Sequence, residues 1–443
     1  MKIQLSEHFT YHKLIRFVLP SIIMMIFTSI YGVVDGLFVS NYVGKTAFAG
    51  LNLIMPFIMA MSALGFMMGT GGSAIVAKTL GEGKKEKANE YFSMIVYVTL
   101  AGGVVLAVVG ILLTKQVSIA LGATGELLDS CILYGRIILI SMPAFMLQNV
   151  FQCFFVTAER PKLGLTVIVL AGVTNMILDF LFIAVFGWGL AGAAFATVCG
   201  ECVGGLLPLV YFGRKNTSPF RLGKARLHWN ILGKTCTNGS SELMTNLSSS
   251  VVNTLFNFQL MHFAGEDGVA AYGTLMYVNF IFVAIFLGYS IGSAPIVSYH
   301  YGARNSDELK NLLTKSLKMI GVWGIGLFAL AQLIASPLAR IFVGYDPDLF
   351  ALTKHGFRIF CLAFLVNGFN IYGSSFFTAL NNGLLSALIS FLRTLVFQIA
   401  AVLLMPMFLG IDGIWGAVFV AEIFTLCVTV ICLVRKRKQY HYF

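Results

Sequence analysis

Twelve apolar runs, separated by short polar breaks, determine what this chain can fold into. Each run exceeds the roughly 20 residues that a helix needs to cross the hydrocarbon core of a bilayer. Because lipid offers the backbone no hydrogen-bond partners, runs of this length favour α-helices. We therefore predict an all-α polytopic membrane protein with twelve transmembrane helices. The approximate spans are 14–40, 47–78, 91–114, 131–157, 163–186, 190–212, 236–263, 269–300, 315–336, 354–380, 384–408 and 413–434.

Composition excludes the main soluble classes. Of the 443 residues, 58% are hydrophobic and 11% are charged, which leaves too little polar surface to cover a soluble globule of this size. The net charge of +11 raises the question of a nucleic-acid partner, but the basic residues lie in short gaps between apolar runs, so we expect none. Among the eight cysteines, Cys199 and Cys202 form a C-x-x-C but lack the βαβ context that a redox motif needs, and the seven histidines form no H-E-x-x-H pattern. We expect neither an enzyme nor a bound cofactor.

The polar gaps alternate in charge. Lysines and arginines gather at 78–87, 160–162, 214–226, 304–310 and 435–438, whereas the intervening gaps carry few of them. Because basic residues mark cytoplasmic loops, this alternation predicts that both termini lie in the cytoplasm. The first apolar run has no small-residue cleavage site, which favours a retained helix over a removable signal peptide.

The two halves of the chain resemble each other. "YVGKTAFAGLN" (42–52) aligns with "FAGEDGVAAYG" (263–273), and "FFVTA" (154–158) aligns with "SFFTA" (375–379) at the same spacing. Six helices per half is an even number, so the halves share an orientation and are related by a pseudo-two-fold axis along the membrane normal. Alternating-access transporters use this arrangement. Gene duplication alone could leave such traces in a channel or an enzyme, but we favour a transporter.

The repeat also predicts the domain organisation. Residues 1–213 form an N lobe of six helices, and residues 236–443 form a C lobe of six helices. The polar and basic segment 214–235 between them is the expected cytoplasmic linker.

Four oxygen-bearing side chains are expected to meet inside the N lobe. Asn175 and Asp179 are four residues apart, so they share one helix face. Asp179 lies shortly before the outer end of its helix and Thr197 shortly after the outer start of the next one, so a tight hairpin places both about 10 Å below the outer surface. Asp35 reaches a similar depth in the first helix. Two carboxylates with an amide and a hydroxyl indicate a site for Na⁺ or for a shared proton.

A structural role is the alternative, since polar groups also hold membrane helices together. It suits Asp35 and Asp179 poorly, because neighbouring carboxylates repel unless a cation or proton lies between them. Arg136 is a candidate structural ion-pair partner. The second half carries Phe256 and Val402 at the two aspartate positions, so only the N lobe is expected to bind the cation.

Four further residues are candidates for supporting roles. Pro20 lies inside the first helix, and an interior proline removes a backbone hydrogen bond and permits a bend, so we interpret it as a hinge. Glu201 lies four residues after Thr197 on the same helix face and could extend a proton path. Glu242 and Glu422 lie in the C lobe and could serve the substrate. Each glutamate could equally be a paired structural acid.

Several of these segments resemble the multidrug and toxic compound extrusion (MATE) family over essentially the whole chain. The matching stretches are "LPSIIMMIFTSIYGVVDGLFVSNYVG", "GTGGSAIVAKTLGEGKKEKA", "NMILDFLF" and "GLAGAAFATV", and the MepA-like bacterial branch, near the DinF-like group, is the most similar. The resemblance implies two lobes around a V-shaped cleft in a bacterial cytoplasmic membrane. It also implies export of organic cations and other amphiphilic drugs driven by inward flow of Na⁺ or H⁺, and we expect a monomer.

The family's N-lobe cation site corresponds to Asp35, Asn175, Asp179 and Thr197, and its bending first helix carries Pro20. The same resemblance matches Glu242 to a C-lobe cation site of the vibrio-type branch.

One departure from that family pattern concerns the tenth helix. Where the vibrio-type branch has an aspartate, "VNGFNIYG" offers Asn367 and Asn370, which argues against ion coupling in the C lobe. A flippase for a lipid-linked precursor is the alternative function, since related folds move large amphiphiles. Such a protein would be expected to line its cavity with several cationic residues for a pyrophosphate, and here nearly all lysines and arginines lie in the cytoplasmic gaps.

Overall fold

Twelve membrane-spanning helices make up the fold. The computed structural model describes residues 3–344 and 346–442, and for residues 33, 37, 40, 41 and 45 it describes the backbone alone. In this part of the chain ten helices are long and apolar enough to cross a bilayer, and a bent pair makes one more. The stretch Trp229–Gly302, 74 residues long, counts as two, because Gly265 breaks it with φ 62° and ψ −149°. The predicted fold class is confirmed.

The helices are numbered here in chain order. They are α1 (Tyr11–Phe38, continued as a π-helix over Val39–Val43), α2 (Lys45–Gly81), α3 (Lys85–Ala120), α4 (Gly125–Ile140 and Met142–Thr157), α5 (Pro161–Asp179, continued as a π-helix over Phe180–Val185), α6 (Gly189–Gly213), α7 (229–264), α8 (266–302), α9 (Ser306–Val343), α10 (Pro347–Phe360 and Asn367–Ala379, joined by a 3₁₀-helix over Cys361–Leu365), α11 (Gly383–Phe391 and Gln398–Leu409, joined by a π-helix over Leu392–Phe397) and α12 (Ile411–Tyr440).

Several helices extend beyond the predicted spans. α3 was predicted over 91–114 but covers Lys85–Ala120. α7 begins at Trp229, so the last part of the predicted linker 214–235 is helical. The reason is that hydropathy marks only the lipid-embedded part of a helix. The helical backbone hydrogen bonds continue beyond the membrane, where polar side chains are solvated.

The fourth helix is bent, although a single straight span over 131–157 was predicted. Its two parts meet at an angle of 56° at Ser141. Pro143 follows directly and has no N–H to donate to the carbonyl of Leu139, which interrupts the helical ladder at this point.

The structure repeats the two-fold pattern of the sequence at its turns. Left-handed backbone conformations occur at matching places in the two halves and favour residues that tolerate positive φ. At one end of the bundle these residues are Gly44 and Gly187 in the first half, and Gly265 and Gly410 in the second half. At the opposite end they are Gly83 and Glu159, and Arg304 and Asn381.

Glycines let the two halves approach closely. A Cβ atom added at Gly239 of α7 would lie 1.9 Å from the Met67 carbonyl oxygen of α2, and one at Gly81 of α2 would lie 2.0 Å from the Tyr299 carbonyl oxygen of α8. α1 packs on α8 in the same way, where a Cβ at Gly288 would lie 2.5 Å from Ile22 Cα. The two halves therefore contact each other backbone to backbone, and almost any side chain at these glycines would separate them.

An N-terminal strap, residues 3–10, joins the two halves near their basic ends. The Leu5 N–H donates to Glu159 Oε1 at 3.0 Å in the first half. In the second half, Glu308 at the start of α9 accepts from the Phe9 N–H at 2.9 Å and lies 2.6 Å from His8 Nδ1. Leu5 and Phe9 are fully buried. The strap therefore holds the ends of both lobes together.

We expect Glu308→Ala to release the strap. Each hydrogen bond to a charged group is worth about 1.5–3 kcal/mol, so losing this carboxylate should speed hydrogen exchange at the Phe9 amide about ten- to hundredfold. Hydrogen–deuterium exchange with mass spectrometry of the N-terminal peptide measures the effect. Glu82→Ala is the control, because the Glu82 carboxylate accepts a hydrogen bond from Lys84 at the surface and from no other described residue. Equal exchange of this peptide in both variants would mean that Glu308 does not hold the strap.

Candidate ion and substrate sites

The α5–α6 hairpin brings Asn175 and Thr197 together. The Asn175 side-chain amide donates to Thr197 Oγ1 at 3.4 Å, and the Thr197 hydroxyl donates to the Ala193 carbonyl at 3.1 Å. The helices approach closely because a Cβ at Gly200 would lie 3.0 Å from both the Ala171 carbonyl oxygen and Asn175 Cβ. These contacts place the two side chains at one level, as the depth argument predicts.

Asp179 is the last α-helical residue of α5, and its side chain is completely buried. Neither of its carboxylate oxygens has a hydrogen-bond partner within the described residues, and the same holds for Oδ1 of Asp35 and Oδ1 of Asn175. Asp35, near the C-terminal end of α1, lies close enough for its charge to act on Asp179. Unpaired acceptors are costly in a low-dielectric interior. A hard cation or a proton would satisfy them.

The acidic pair belongs to the first half alone. At the matching positions the second half has two apolar side chains, Phe256, which is 1% exposed, and Val402, which is fully buried, so it has no carboxylate there. Arg136, considered as an ion-pair partner, is exposed on α4 and pairs with no carboxylate in the described chain.

Glu201 is bound by a hydroxyl of α4. The Ser141 hydroxyl donates to Glu201 Oε2 and lies 2.8 Å from the Ile138 carbonyl oxygen. Since Ser141 lies at the bend of α4, the glutamate ties α6 to that bend. Within residues 3–344 and 346–442, no group of three or more histidine, cysteine, aspartate or glutamate side chains could hold a metal ion, so Glu201 does not complete a three-carboxylate site.

The hinge candidate, Pro20, lies within an unbroken helix. α1 runs from Tyr11 to Phe38 through the proline. The next residues, Ser21 and Ile22, pack against the backbone of α8 at Gly288. Pro20 therefore lies where α1 passes from the first half to its contact with the second.

A cavity of about 410 Å³ lies between the halves. α1 and α2 contribute residues such as Met25, Ser29 and Phe66, and most of the remaining wall comes from the second half. Amides and hydroxyls alternate with aromatic rings along it. Among the described residues, its acidic and basic side chains are Glu242 of α7, Arg393 of α11 and Glu422 of α12.

Arg393 and Glu422 form an ion pair within the bundle. The Arg393 Nε donates to Glu422 Oε1 at 2.8 Å, and the Asn370 side-chain amide donates to Glu422 Oε2 at 2.7 Å. Thr429 donates to Asn370 Oδ1 at 3.0 Å. Glu422 is only 1% exposed, whereas Arg393 is 15% exposed. The tenth-helix asparagine thus supports a glutamate of α12.

Sequence reasoning did not single out Arg393. The signal was available, because the residue lies inside the predicted span 384–408 and an ionisable side chain at membrane depth indicates function by the same rule that selects Asp179. Glu242 lies within electrostatic range of Arg393. Its carboxylate accepts no hydrogen bond from the described residues.

Comparisons with known proteins agree with this architecture. A family model described as MatE matches the chain twice, over residues 20–181 and 243–404. The multidrug export protein MepA of Staphylococcus haemolyticus is 22% identical, covering 95% of this chain and 92% of its own length. The paired matches have equal length and correspond to the two halves of the predicted repeat.

Two solved structures share the fold. One, described as MATE in complex with MaL6, has a TM-score of 0.92 at 22% identity and covers 98% of this chain and 97% of its own. The other is described as the outward-facing conformation of a multidrug resistance MATE family transporter of the MOP superfamily. It has a TM-score of 0.91 at 22% identity, with the same coverage of both chains.

Proposed function

The chain belongs to the MatE family of multi-pass membrane transporters, and from that premise we propose that it exports amphiphilic organic cations by antiport with Na⁺ or H⁺. The observation that carries the proposal is the pair of the half-buried Asp35 and the fully buried Asp179. Both oxygens of Asp179 and Oδ1 of Asp35 have no hydrogen-bond partner among the described residues, which favours a bound cation or proton. Asn175 and Thr197 supply the further oxygens of this site. The export of drugs is inferred from the staphylococcal relative.

In the proposed cycle the coupling ion enters from outside and neutralises Asp35 and Asp179. α1 then bends near Pro20, the lobes rearrange and bound drug leaves outward; the ion leaves when the cleft faces the cytoplasm. An ion can drive this change only through its different affinities for the two conformations.

α1 is the element that would couple the two sites. It carries Asp35 near its outer end, and its residues Met25 and Ser29 line the cavity. The Ser29 hydroxyl also lies 3.4 Å from the Phe280 carbonyl oxygen of α8. A change of charge at Asp35 would therefore reach the cavity wall through a single helix.

The cavity suits a drug-sized ligand better than a lipid-linked pyrophosphate. Its volume of about 410 Å³ lies in the range of small-molecule sites. In the described residues its wall contains one basic side chain, Arg393. A flippase would need several such groups for a pyrophosphate.

The remaining features of the proposal concern assembly and orientation. The N lobe (1–213) and C lobe (236–443), joined by the linker 214–235, form a monomer in a bacterial cytoplasmic membrane with both termini inside. Glu201 is proposed to serve the proton path and Glu242 the substrate, whereas Glu422 is proposed to orient Arg393 through their ion pair.

Efflux from proteoliposomes tests this function. A fluorescent organic cation is loaded, and Na⁺ and proton gradients are imposed separately. We expect efflux to follow one gradient, which names the coupling ion, and to be absent when neither is present. Equal efflux with and without either gradient would contradict antiport, and movement of a fluorescent lipid instead of the dye would favour the flippase.

A further inference from the structure

The central cavity presents opposite charges to one ligand. Glu242 and Arg393 both line it, on helices α7 and α11. We infer that this cavity prefers amphiphiles that carry an anionic group as well as a cationic one, so that the anion binds Arg393 and the cation binds Glu242. This inference rests on the proposed export function and specifies its substrate class.

Arg393 retains hydrogen-bonding capacity toward the cavity. Its Nε is bound by Glu422, whose second oxygen is taken by Asn370. The terminal Nη groups donate to no partner within the described chain, and the side chain is 15% exposed. Because a guanidinium offers a planar fork of donors, an arginine fixed in this way can still bind a ligand carboxylate through two parallel hydrogen bonds. Glu422 therefore orients the arginine and leaves its outer donors to the ligand.

Glu242 supplies the complementary charge. It is half-buried in the cavity wall, and its carboxylate has neither a hydrogen bond nor an ion pair with the described residues. Part of the same cavity wall is aromatic, with Phe256 and Tyr272 stacked at a centroid distance of 5.1 Å. A flat apolar body with a charge at each end fits these three elements.

A site for cations alone would gain nothing from the guanidinium. The positive charge of Arg393 repels a cationic ligand, although Glu422 reduces that repulsion. If the ion pair served only to hold α11 and α12 together, neutralising both partners would affect cationic and zwitterionic ligands alike. If Arg393 binds the anion, neutralising Arg393 and Glu422 together should weaken the binding of zwitterions and leave cations bound equally or more tightly.

A matched pair of dyes distinguishes these cases. The probes are a rhodamine with a free carboxylate and its methyl ester, which differ only in the anionic group. Binding to the full-length protein in nanodiscs, without any gradient, is measured by fluorescence anisotropy. We expect the wild type to bind the acid about tenfold more tightly than the ester. The double variant Arg393→Gln with Glu422→Gln should lose this preference while its affinity for the ester stays equal or rises.

An unchanged preference in the double variant would overturn the inference, and so would an equal loss of affinity for both dyes. If that variant fails to fold, Arg393→Lys is used instead, because it keeps the ion pair but loses the planar fork. The preference for the acid should then fall severalfold, with little change in affinity for the ester. An unchanged preference in Arg393→Lys would also overturn the inference. Glu242→Gln should lower the affinity for both dyes. Because binding is measured without a gradient, failure of gradient-driven efflux would overturn the proposed antiport and leave this result standing.

Discussion

Asp179→Asn will abolish ion-driven efflux while the protein remains folded in the membrane. Asparagine has nearly the same shape as aspartate, so it should fit the fully buried position at the end of α5. It cannot carry the negative charge that attracts a cation or takes up a proton. We expect the rate of gradient-driven dye efflux to fall to that of liposomes without protein, and Asp35→Asn to behave in the same way.

The measurement is the proteoliposome assay with the gradient that drives the wild type. Asp267→Asn is the matched control, because it makes the same chemical change at an exposed position in the first turn of α8, and it should transport normally. Dye binding without a gradient should survive in both site variants, since neither aspartate lines the cavity. Normal efflux by Asp35→Asn and Asp179→Asn would reduce these residues to a structural role.

Much of the fold was predictable because the bilayer imposes a simple rule. Residues in contact with lipid must be apolar, and the backbone N–H and C=O groups must hydrogen-bond to one another. The positions of the spans could therefore be predicted from hydropathy. The N-lobe cluster was also predictable, since a tight hairpin converts distance along the chain into depth and places Asn175 level with Thr197. Bends within the helices were less predictable. Pro143 is visible in the sequence, but the angle of the bend in α4 depends on what that helix packs against.

Long-range pairings explain what the sequence could not supply. The N-terminal strap depends on contacts of Phe9 with Glu308, which lie on different lobes and follow no local pattern. The same is true of Arg393, whose role depends on Glu422 and Asn370 in two other helices. Hydropathy identifies an ionisable residue within a span, but only packing decides whether it faces a partner, the cavity or both.

Replacing Arg393 alone will destabilise the protein severely, whereas replacing it together with Glu422 will not. In Arg393→Gln, the carboxylate of Glu422 stays 1% exposed and loses its only charged partner. Leaving one member of a buried ion pair uncompensated costs about 3–5 kcal/mol. We expect a correspondingly large fall in the melting temperature of the detergent-purified protein.

The double variant Arg393→Gln with Glu422→Gln should melt close to the wild type, because neutral, hydrogen-bonded replacements of a buried pair are often tolerated. Asn370 can still donate to the carbonyl oxygen of the new glutamine. Arg358→Gln, an exposed arginine on α10, is the control and should change stability by about 0.5 kcal/mol or less. A single variant as stable as the double would show that Glu422 does not depend on the guanidinium, and the ion pair could then not be what orients Arg393 toward the cavity.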